Sequence, residues 1–303
     1  MIESIKIRNE STGKIIKLDM SEANYLIYDG SIDWGTVDVS HNTFQYPTQI
    51  GAYISSTVVG TRDISISGWI IGDTLQEIEQ KKDYLSKHIN PLQNVTILVG
   101  EYSISGKPDS NVKFGNSYSE NNEAMCKFLI SIFCSNPMFL LSNAIDVSIA
   151  DTQGMFGFPL IFKPEGIILG LRKKSLFTDV TNDGAIEVGM TVTIEALGTT
   201  KNPRIINVNT NEYMRINKTM VAGEKIVINT NKGERSVYGY VNGEKENYFD
   251  YFDFDNVWLQ VPNGISTFTY KTYDDDYVTE NDTYKNINVT ISYRLAVYNI
   301  GGE

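Results

Sequence analysis

The residues of this chain that are best suited to chemistry are few and scattered. Histidine occurs only at His41 and His88, whereas a catalytic or metal-binding histidine needs a partner at close, motif-like spacing. His41 stands in a polar stretch without such a partner, and His88 falls in the last turn of a predicted helix, where a cation suits the helix dipole. The sequence contains no HExxH, GxSxG, P-loop or GxGxxG motif. We therefore expect a protein that is not an enzyme, with no catalytic residue, no metal site and no cofactor.

The two cysteines, Cys126 and Cys134, fall in one predicted strand, eight residues apart. This spacing along an extended chain is too long for a disulfide between them. We interpret them as buried free thiols of a protein kept in a reducing compartment.

Two segments combine aromatic and acidic side chains. Residues 248–256 read YFDYFDFDN, an alternation that on a strand separates an aromatic face able to stack a sugar from a polar face. Tyr248, Tyr251 and Trp258 are the possible carbohydrate contacts. Residues 273–284 read YDDDYVTENDTY and offer oxygen ligands for Ca²⁺, without the glycine and spacing of a calcium loop. The alternatives are a strand entering a β-sandwich and a solvated hairpin tip.

The elements that position these residues are nearly all strands. Alternation in RDISISGWII predicts a strand over Arg62–Ile71. The apolar period then becomes helical over 74–89, with Asp73 or Thr74 as the cap and Asn90-Pro91 as the stop. This is the one convincing helix, and we expect it to pack on the sheet through Leu75, Ile78, Leu85 and Ile89.

The remaining pattern predicts a mainly β protein of two domains, because 303 residues exceed what one core usually holds. We expect an N-terminal domain over 1–140 with polar loops at 31–49 and 106–122, a linker over 141–157 and a C-terminal β-sandwich over 158–303. The second half shows short strands, including 160–162 and 166–170, with turn residues about every ten positions. There the aromatic side chains of Trp258, Phe268 and Tyr270 are interpreted as sandwich core.

Charge and hydropathy restrict the partners. The net charge of −11 argues against a nucleic-acid-binding surface, which needs clustered Lys and Arg. The N-terminus has no apolar core of a signal peptide, and no apolar run approaches the ~18 residues of a membrane span. We expect synthesis in a cytoplasm and no membrane insertion.

The order of motifs resembles the distal tail protein family (Dit) of long-tailed bacteriophages. In the first half the resemblance runs from the opening hairpin IKIRNESTGKIIKL through RDISISG at 62–68 and the Ile89-Asn90-Pro91 helix end to FCSNPMF at 133–139. In the second half it includes FPL at 158–160, Asn182-Asp183-Gly184, NPRI at 202–205, and Trp258 ahead of VPNG at 261–264. The resemblance covers nearly the whole chain.

This resemblance implies a structural role in the virion, at the distal end of the tail. The N-terminal domain is expected to be a tail-tube-like β-sandwich or split barrel with one flanking helix, and the C-terminal domain a galectin-like or carbohydrate-binding-module-like sandwich. Expected partners are further copies in a ring, usually a hexamer, the tail tube protein, a tail-tip hub protein and receptor-binding or baseplate proteins, with DNA only passing through the channel. The alternative function is a carbohydrate-binding module that contacts the host cell surface directly.

Overall fold

The structure is a computed structural model that describes residues 3–21, 24–48, 50–154, 170–174 and 177–300, with the backbone alone for 150–154 and 170–174. It divides into two compact units, Met1–Ser142 with Val297–Glu303, and Asn143–Ala296. The predicted strand at 160–162, most of the one at 166–170, and the end of the predicted linker at 155–157 lie outside the described residues.

The first unit contains the one α-helix of the described residues together with strands. In chain order these elements are β1 (Ser4–Asn9), β2 (Ile15–Asp19), β3 (Tyr25–Leu26), β4 (Ile32–Asp33), β5 (Val39–Phe44), β6 (Tyr53–Val59), β7 (Arg62–Ile71), α1 (Leu75–His88), β8 (Val95–Val99), β9 (Tyr102–Pro108), β10 (Lys113–Phe114), β11 (Met125–Cys134) and β12 (Phe139–Leu141).

Seven of these strands form a closed barrel. Their order is β11-β7-β3-β2-β1-β8-β9, and β9 pairs with β11 to close the ring. Strands β7 and β11 pair in register over their whole length, so the alternating residues of β7 and those of β11 point into one core. Closure leaves the main strands without free edges, and the barrel is therefore a self-contained scaffold.

A glycine in the apolar stripe of β7 makes room for an aromatic ring. Gly68 pairs with Phe128, and a Cβ at position 68 would lie 2.6 Å from a ring atom of Phe128 and 2.6 Å from the carbonyl oxygen of Leu26. The ring of Phe128 thus occupies the space that a side chain at 68 would need. The absence of a side chain is what fits β3 and β11 against β7.

Helix α1 begins with the predicted cap and lies on the barrel. Thr74 is the N-cap, its side chain accepting a hydrogen bond from the amide of Glu77, and the carboxylate of Glu77 accepts one from the amide of Asp73. Ile78, Leu85 and Ile89 are buried in the barrel core, as predicted. The prediction that Leu75 belongs to the buried side of the helix is wrong, because this residue of the first turn is 51% exposed.

We expect Leu85→Ala to lower the free energy of unfolding by about 2–5 kcal/mol, because the change leaves a cavity in a packed core. Leu75→Ala is the matched control, since it makes the same change in the same helix at an exposed site and should cost less than about 0.5 kcal/mol. Urea unfolding of both variants measures the difference. Equal losses would contradict the assigned helix side.

His88 lies in the last turn of α1, as predicted, but it is a buried hydrogen-bonding residue and not a cation. Its Nε2 lies 2.9 Å from the carbonyl oxygen of Ile7, and the backbone carbonyl of His88 accepts a bond from the Asn9 side chain. Burial lowers the pKa of His88, with a smaller lowering from Lys14, although the hydrogen bond to Ile7 acts in the opposite sense. The imidazole is therefore neutral in the folded protein at neutral pH.

This lowered pKa predicts a pH dependence of stability. The unfolded chain takes up a proton at His88 near pH 6.5, whereas the folded chain takes it up only at lower pH. Stability is therefore expected to fall as the pH drops below about 6.5. Urea unfolding between pH 7.5 and 5.5 should show a smaller decline for His88→Gln than for the wild type. Parallel declines would exclude His88 as the source.

The described residues of the second unit form strands and two short 3-10 helices, Phe249–Tyr251 and Asp282–Asn286. Its strands are β13 (Ile145–Ser148), β14 (Ala150–Gly154), β15 (Gly170–Lys174), β16 (Thr178–Asn182), β17 (Val188–Ala196), β18 (Thr200–Lys201), β19 (Pro203–Asn207), β20 (Tyr213–Arg215), β21 (Thr219–Met220), β22 (Lys225–Asn229), β23 (Ser236–Val241), β24 (Glu244–Asn247), β25 (Gln260–Val261), β26 (Gly264–Thr272) and β27 (Ile287–Tyr293). A last strand, β28 (Ala296–Val297), pairs with β12 in the sheet of the first unit.

Two antiparallel sheets dominate this second unit. One has the order β13-β27-β17-β22-β23-β24 with β25 also paired to β17, and the other has the order β16-β26-β19-β20. In strands β17, β19 and β27 every second residue is buried and the residues between are half-buried or exposed, so each sheet has a buried face. The chain is thus mainly β, with a barrel followed by a separate β-sandwich unit, as predicted.

The predicted loops differ from the structure. Within residues 31–49 lie β4 and the whole of β5, and residues 106–122 contain the end of β9 and the short β10. The prediction that both stretches are loops is therefore wrong. The polar side chains of β5 face solvent, and the alternation that identifies a half-buried strand is absent there.

Candidate functional site

The most unusual surface of the first unit is a hairpin formed by β5 and β6. The two strands pair only with each other, and every residue in both is exposed. The exposed apolar side chains of the strands are Val39, Phe44, Tyr53, Ile54, Val58 and Val59. An isolated two-stranded hairpin is at best marginally stable in water, and exposed apolar groups on such a hairpin are typical of a contact surface.

The hairpin is nevertheless held by side-chain hydrogen bonds, although its register shifts once, between Asn42 and Thr43. His41 Nδ1 lies 2.9 Å from the hydroxyl of Thr57, and the Asn42 amide donates to the hydroxyl of Ser56 at 2.8 Å. At the base, the amide of Gly60 donates to the carbonyl of Asp38 at 2.7 Å. His41 therefore has a structural role as a cross-strand partner.

The base of the hairpin is fixed to the barrel by a buried arginine. Arg62 is 1% exposed, and its guanidinium donates to the carbonyl of Trp34 at 3.1 Å and to that of Tyr298 at 2.5 Å. It also lies 4.9 Å from the ring centre of Phe139, which meets Trp34 edge to face. Burial lowers the pKa of Arg62. This cluster holds the segment that leads into β5.

In the second unit, the segment 248–256 is not a strand, and the prediction of a strand there is wrong. A 3-10 helix at Phe249–Tyr251 is followed by a single bridge between Phe252 and Ile216. Asn256 exchanges two hydrogen bonds with the backbone of Arg215, at 2.7 and 2.8 Å. The alternation of aromatic and acidic residues therefore does not divide into two faces.

The three possible carbohydrate contacts lie in different environments. Tyr248 is buried, its ring filling the space above Gly239, and burial raises its pKa to about 12. Tyr251 is exposed. Trp258 is half-buried, with its ring centre 4.5 Å from that of Phe252 and 5.3 Å from the guanidinium carbon of Arg235.

The three aromatic residues that are predicted to lie in the core of this unit also differ in burial. Phe268 and Tyr270 are buried, as predicted. Trp258 is only half-buried, so its assignment to the core is wrong. It packs instead beneath the aromatic residues of the 249–252 segment.

The acidic segment 273–284 forms a hairpin tip whose carboxylates support the turn itself. The carboxylate of Asp276 accepts hydrogen bonds from the amides of Val278 and Thr279 and from the hydroxyl of Thr279. These bonds lower the pKa of Asp276. Within the described parts of the chain, no group of three or more His, Cys, Asp or Glu side chains is arranged to hold a metal ion.

Two arginines beneath this tip were not singled out from the sequence. The guanidinium of Arg204 lies between the rings of Tyr213 and Tyr273, at 4.3 and 4.0 Å from their centres. Arg215 lies 4.4 Å from the ring of Tyr277 and forms an ion pair with Asp253. Strands place these residues next to each other from distant parts of the sequence, so no local motif marks them.

The cysteines are buried free thiols, as predicted. Burial raises the pKa of Cys134 to about 11 and also raises that of Cys126, so both remain protonated and unreactive at neutral pH. Among the described residues, none of the helices has the length and apolar character needed to cross a membrane.

Comparison with known proteins gives matches in both units. Residues 18–134 match the family model of the phage tail protein RIFT-related domain. Residues 183–294 match the model of the siphovirus-type tail component, C-terminal domain. No curated protein matches the sequence.

Two solved structures have the same fold as this chain over nearly its whole length. The crystal structure of the Dit protein of phage SPP1, described as a hub of the adsorption apparatus in phages that infect Gram-positive hosts, aligns with a TM-score of 0.60 and 10% identity, covering 96% of this chain and 98% of that one. A chain of the phage P2 baseplate in its activated conformation aligns with a TM-score of 0.54 and 13% identity, over 96% and 98% of the two chains. Since the two family models together match most of the sequence, this chain belongs to the Dit-like family of phage tail components.

Proposed function

We propose that this protein is the structural hub of a phage tail tip, in which copies of the N-terminal unit form a ring, with six copies expected. The ring joins the end of the tail tube to tail-tip and host-adsorption proteins and leaves a channel for DNA. The observation that carries this proposal is the exposed hairpin of β5 and β6.

The hairpin of one copy is well placed to cover a different surface on the next copy. The barrel is closed, so its main strands are already paired, and the hairpin extends from it with exposed apolar side chains. A hairpin that covers a different surface on the next copy makes a heterologous contact, and such contacts produce rings when the rotation closes. Covering Ile54, Val58 and their neighbours would stabilise the hairpin as well as the ring.

The charge of the chain is compatible with a DNA channel. A net charge of −11 would keep the phosphate backbone from adhering to the ring, because like charges repel. The absence of recognisable catalytic motifs from the sequence supports a structural role. The tube protein would bind one side of the ring, and the tail-tip hub, receptor-binding or baseplate proteins the other.

Native mass measurement of the full-length protein, alone and mixed with the tube protein of the same phage, tests this proposal. We expect a closed oligomer of defined stoichiometry in at least one of the two samples. A strict monomer in both samples at high concentration would overturn the ring. A ring that forms but leaves no central channel in electron micrographs would overturn the DNA conduit.

A further inference from the structure

Arg62 joins both ends of the hairpin of β5 and β6 to a segment from a distant part of the sequence. Its backbone follows the hairpin directly, at the start of β7, and its guanidinium donates to the carbonyls of Trp34 and Gly35, which precede the hairpin, at 3.1 and 3.4 Å. A further bond, at 2.5 Å, goes to the carbonyl of Tyr298, 236 residues along the chain. One buried side chain therefore connects the entry and the exit of the hairpin with residues 297–300, which we call the strap.

The strap lies within the first unit, although it follows the second unit in the sequence. Val297 belongs to β28, which pairs with β12, and the side chains of Val297 and Ile300 pack against the buried core of the first unit. Strand β12 begins with Phe139, whose ring centre lies 4.9 Å from the Arg62 guanidinium and which meets Trp34 edge to face. The strap is thus linked to the Arg62 cluster through its own backbone and through β12.

The Arg62 cluster depends on all of its hydrogen-bond partners. A charged group that is 1% exposed must be hydrogen-bonded, because burial of a charge without partners is costly. Among the described residues no carboxylate pairs with Arg62, its Nε has no partner, and its bonds all go to backbone carbonyls. Without the carbonyl of Tyr298, Nη2 would lose its partner as well. The guanidinium would then have to reach water, and its bonds to Trp34 and Gly35 would be lost.

The direction of the hairpin depends on this base. Strands β5 and β6 pair only with each other, so no other described strand supports them. The entry segment passes so close to β7 that a Cβ at position 35 would overlap the carbonyl oxygen of Asp63, and Gly35 has a left-handed φ of 64°. We therefore expect the hairpin to lose its fixed direction when Arg62 leaves the cluster.

We propose that the strap is the closing element of the hairpin base: the hairpin has a fixed position on the barrel only when residues 297–300 are docked on the first unit. For the ring, this inference rests on the proposed function. Because the strap follows the second unit in the sequence, a chain that is still being synthesised lacks it. Contacts between incomplete copies are thereby prevented, and only chains that contain both units enter the ring.

Hydrogen exchange in the full-length protein, at a concentration where it is monomeric, tests the strap. The variant is Val297→Asp with Ile300→Asp, which places charges against the apolar core and displaces the strap. Asn299→Asp is the matched control, since it adds the same side chain at an exposed position of the strap. We expect the amides of residues 36–60 to exchange about tenfold faster or more in the variant, the effect of one lost hydrogen bond to a charged group. In the control their exchange should not change.

Arg62→Lys tests the same connection without a change in the strap. Lysine presents a single nitrogen where the guanidinium donates from Nη1 to Trp34 and from Nη2 to Tyr298. We expect faster exchange both in residues 36–60 and in the strap. Strands β1 and β8 of the barrel and β17 of the second unit should keep their protection in every variant, which shows that both units remain folded.

Unchanged exchange of residues 36–60 in either variant would overturn the inference, because the hairpin would then be fixed without the strap. Loss of protection in β1 and β8 would contradict it too, since the strap would then be part of the barrel core and not a separate closing element. In native mass measurement we expect rings from the wild type and monomers from the displaced-strap variant, and equal assembly of the two would refute the coupling to the ring. A wild type that never assembles, alone or with the tube protein, overturns the proposed function and leaves the exchange result as the test of the strap.

Discussion

Gly68→Val is expected to unfold the barrel at lower urea concentration than any exposed substitution, with a loss of about 3 kcal/mol. A side chain at 68 would meet the ring of Phe128 and the carbonyl oxygen of Leu26 at 2.6 Å each. The ring of Phe128 is buried, and the carbonyl belongs to the backbone of β3, so a shift of either one costs free energy. Overpacking of a core typically costs 1–3 kcal/mol, and strain in the backbone adds to it.

Ser65→Val is the control for this change. Ser65 lies on the same strand, on the opposite face, and is only half-buried. Valine has a high β propensity, so the control should shift stability by no more than about 0.5 kcal/mol. A Gly68→Val protein with wild-type stability would show that Phe128 does not occupy this space in solution.

The second large effect is expected on assembly and not on folding. Ile54→Asp with Val58→Asp places one charge on each face of the hairpin. The two residues are four apart on β6, but the register shift between them makes Ile54 pair with Thr43 and Val58 with Ser40, and these two partners lie on opposite faces of β5. If a neighbouring copy covers the hairpin, an unpaired charge becomes buried in every contact of the ring. We expect each contact to weaken by about 3 kcal/mol or more, which is over 100-fold in affinity. Native mass measurement should then show monomers, and the melting temperature of the monomer should be unchanged.

The matched control carries two charges elsewhere on the same unit. Ile15 and Leu92 are exposed apolar residues outside the hairpin, at 50% and 84%, and Ile15→Asp with Leu92→Asp should leave the ring intact. If the ring is lost in this control and survives in the hairpin variant, the contact between copies lies on another surface.

The sequence predicts the buried parts of this fold well. Strand β7, strand β11 and the buried positions Ile78, Leu85 and Ile89 of α1 follow from apolar periods of two and of about 3.6, which arise because burial selects one face. Leu75 fits the same helical period yet is exposed, since spacing alone does not show how far the supporting sheet extends beneath the first turn.

The exposed parts are harder to predict, and they include the hairpin that we propose to be functional. Strand β5 (VSHNTF) has no buried face, and so its alternation is lost. The aromatic and acidic alternation of 248–256 predicts a strand, but the bonds between Asn256 and Arg215 come from a residue about forty positions away and fix a different backbone. An exposed surface has no buried face of its own, so burial does not impose a periodic pattern of apolar residues on its sequence.

The most direct test of the proposed role is the position of this protein in the intact phage particle. Electron microscopy of purified particles labelled with an antibody against the chain measures it. If the proposed role is right, the label lies at a single place, the distal end of the tail, between the tube and the tip. Label along the tube or at the head, or particles that carry none, would contradict it.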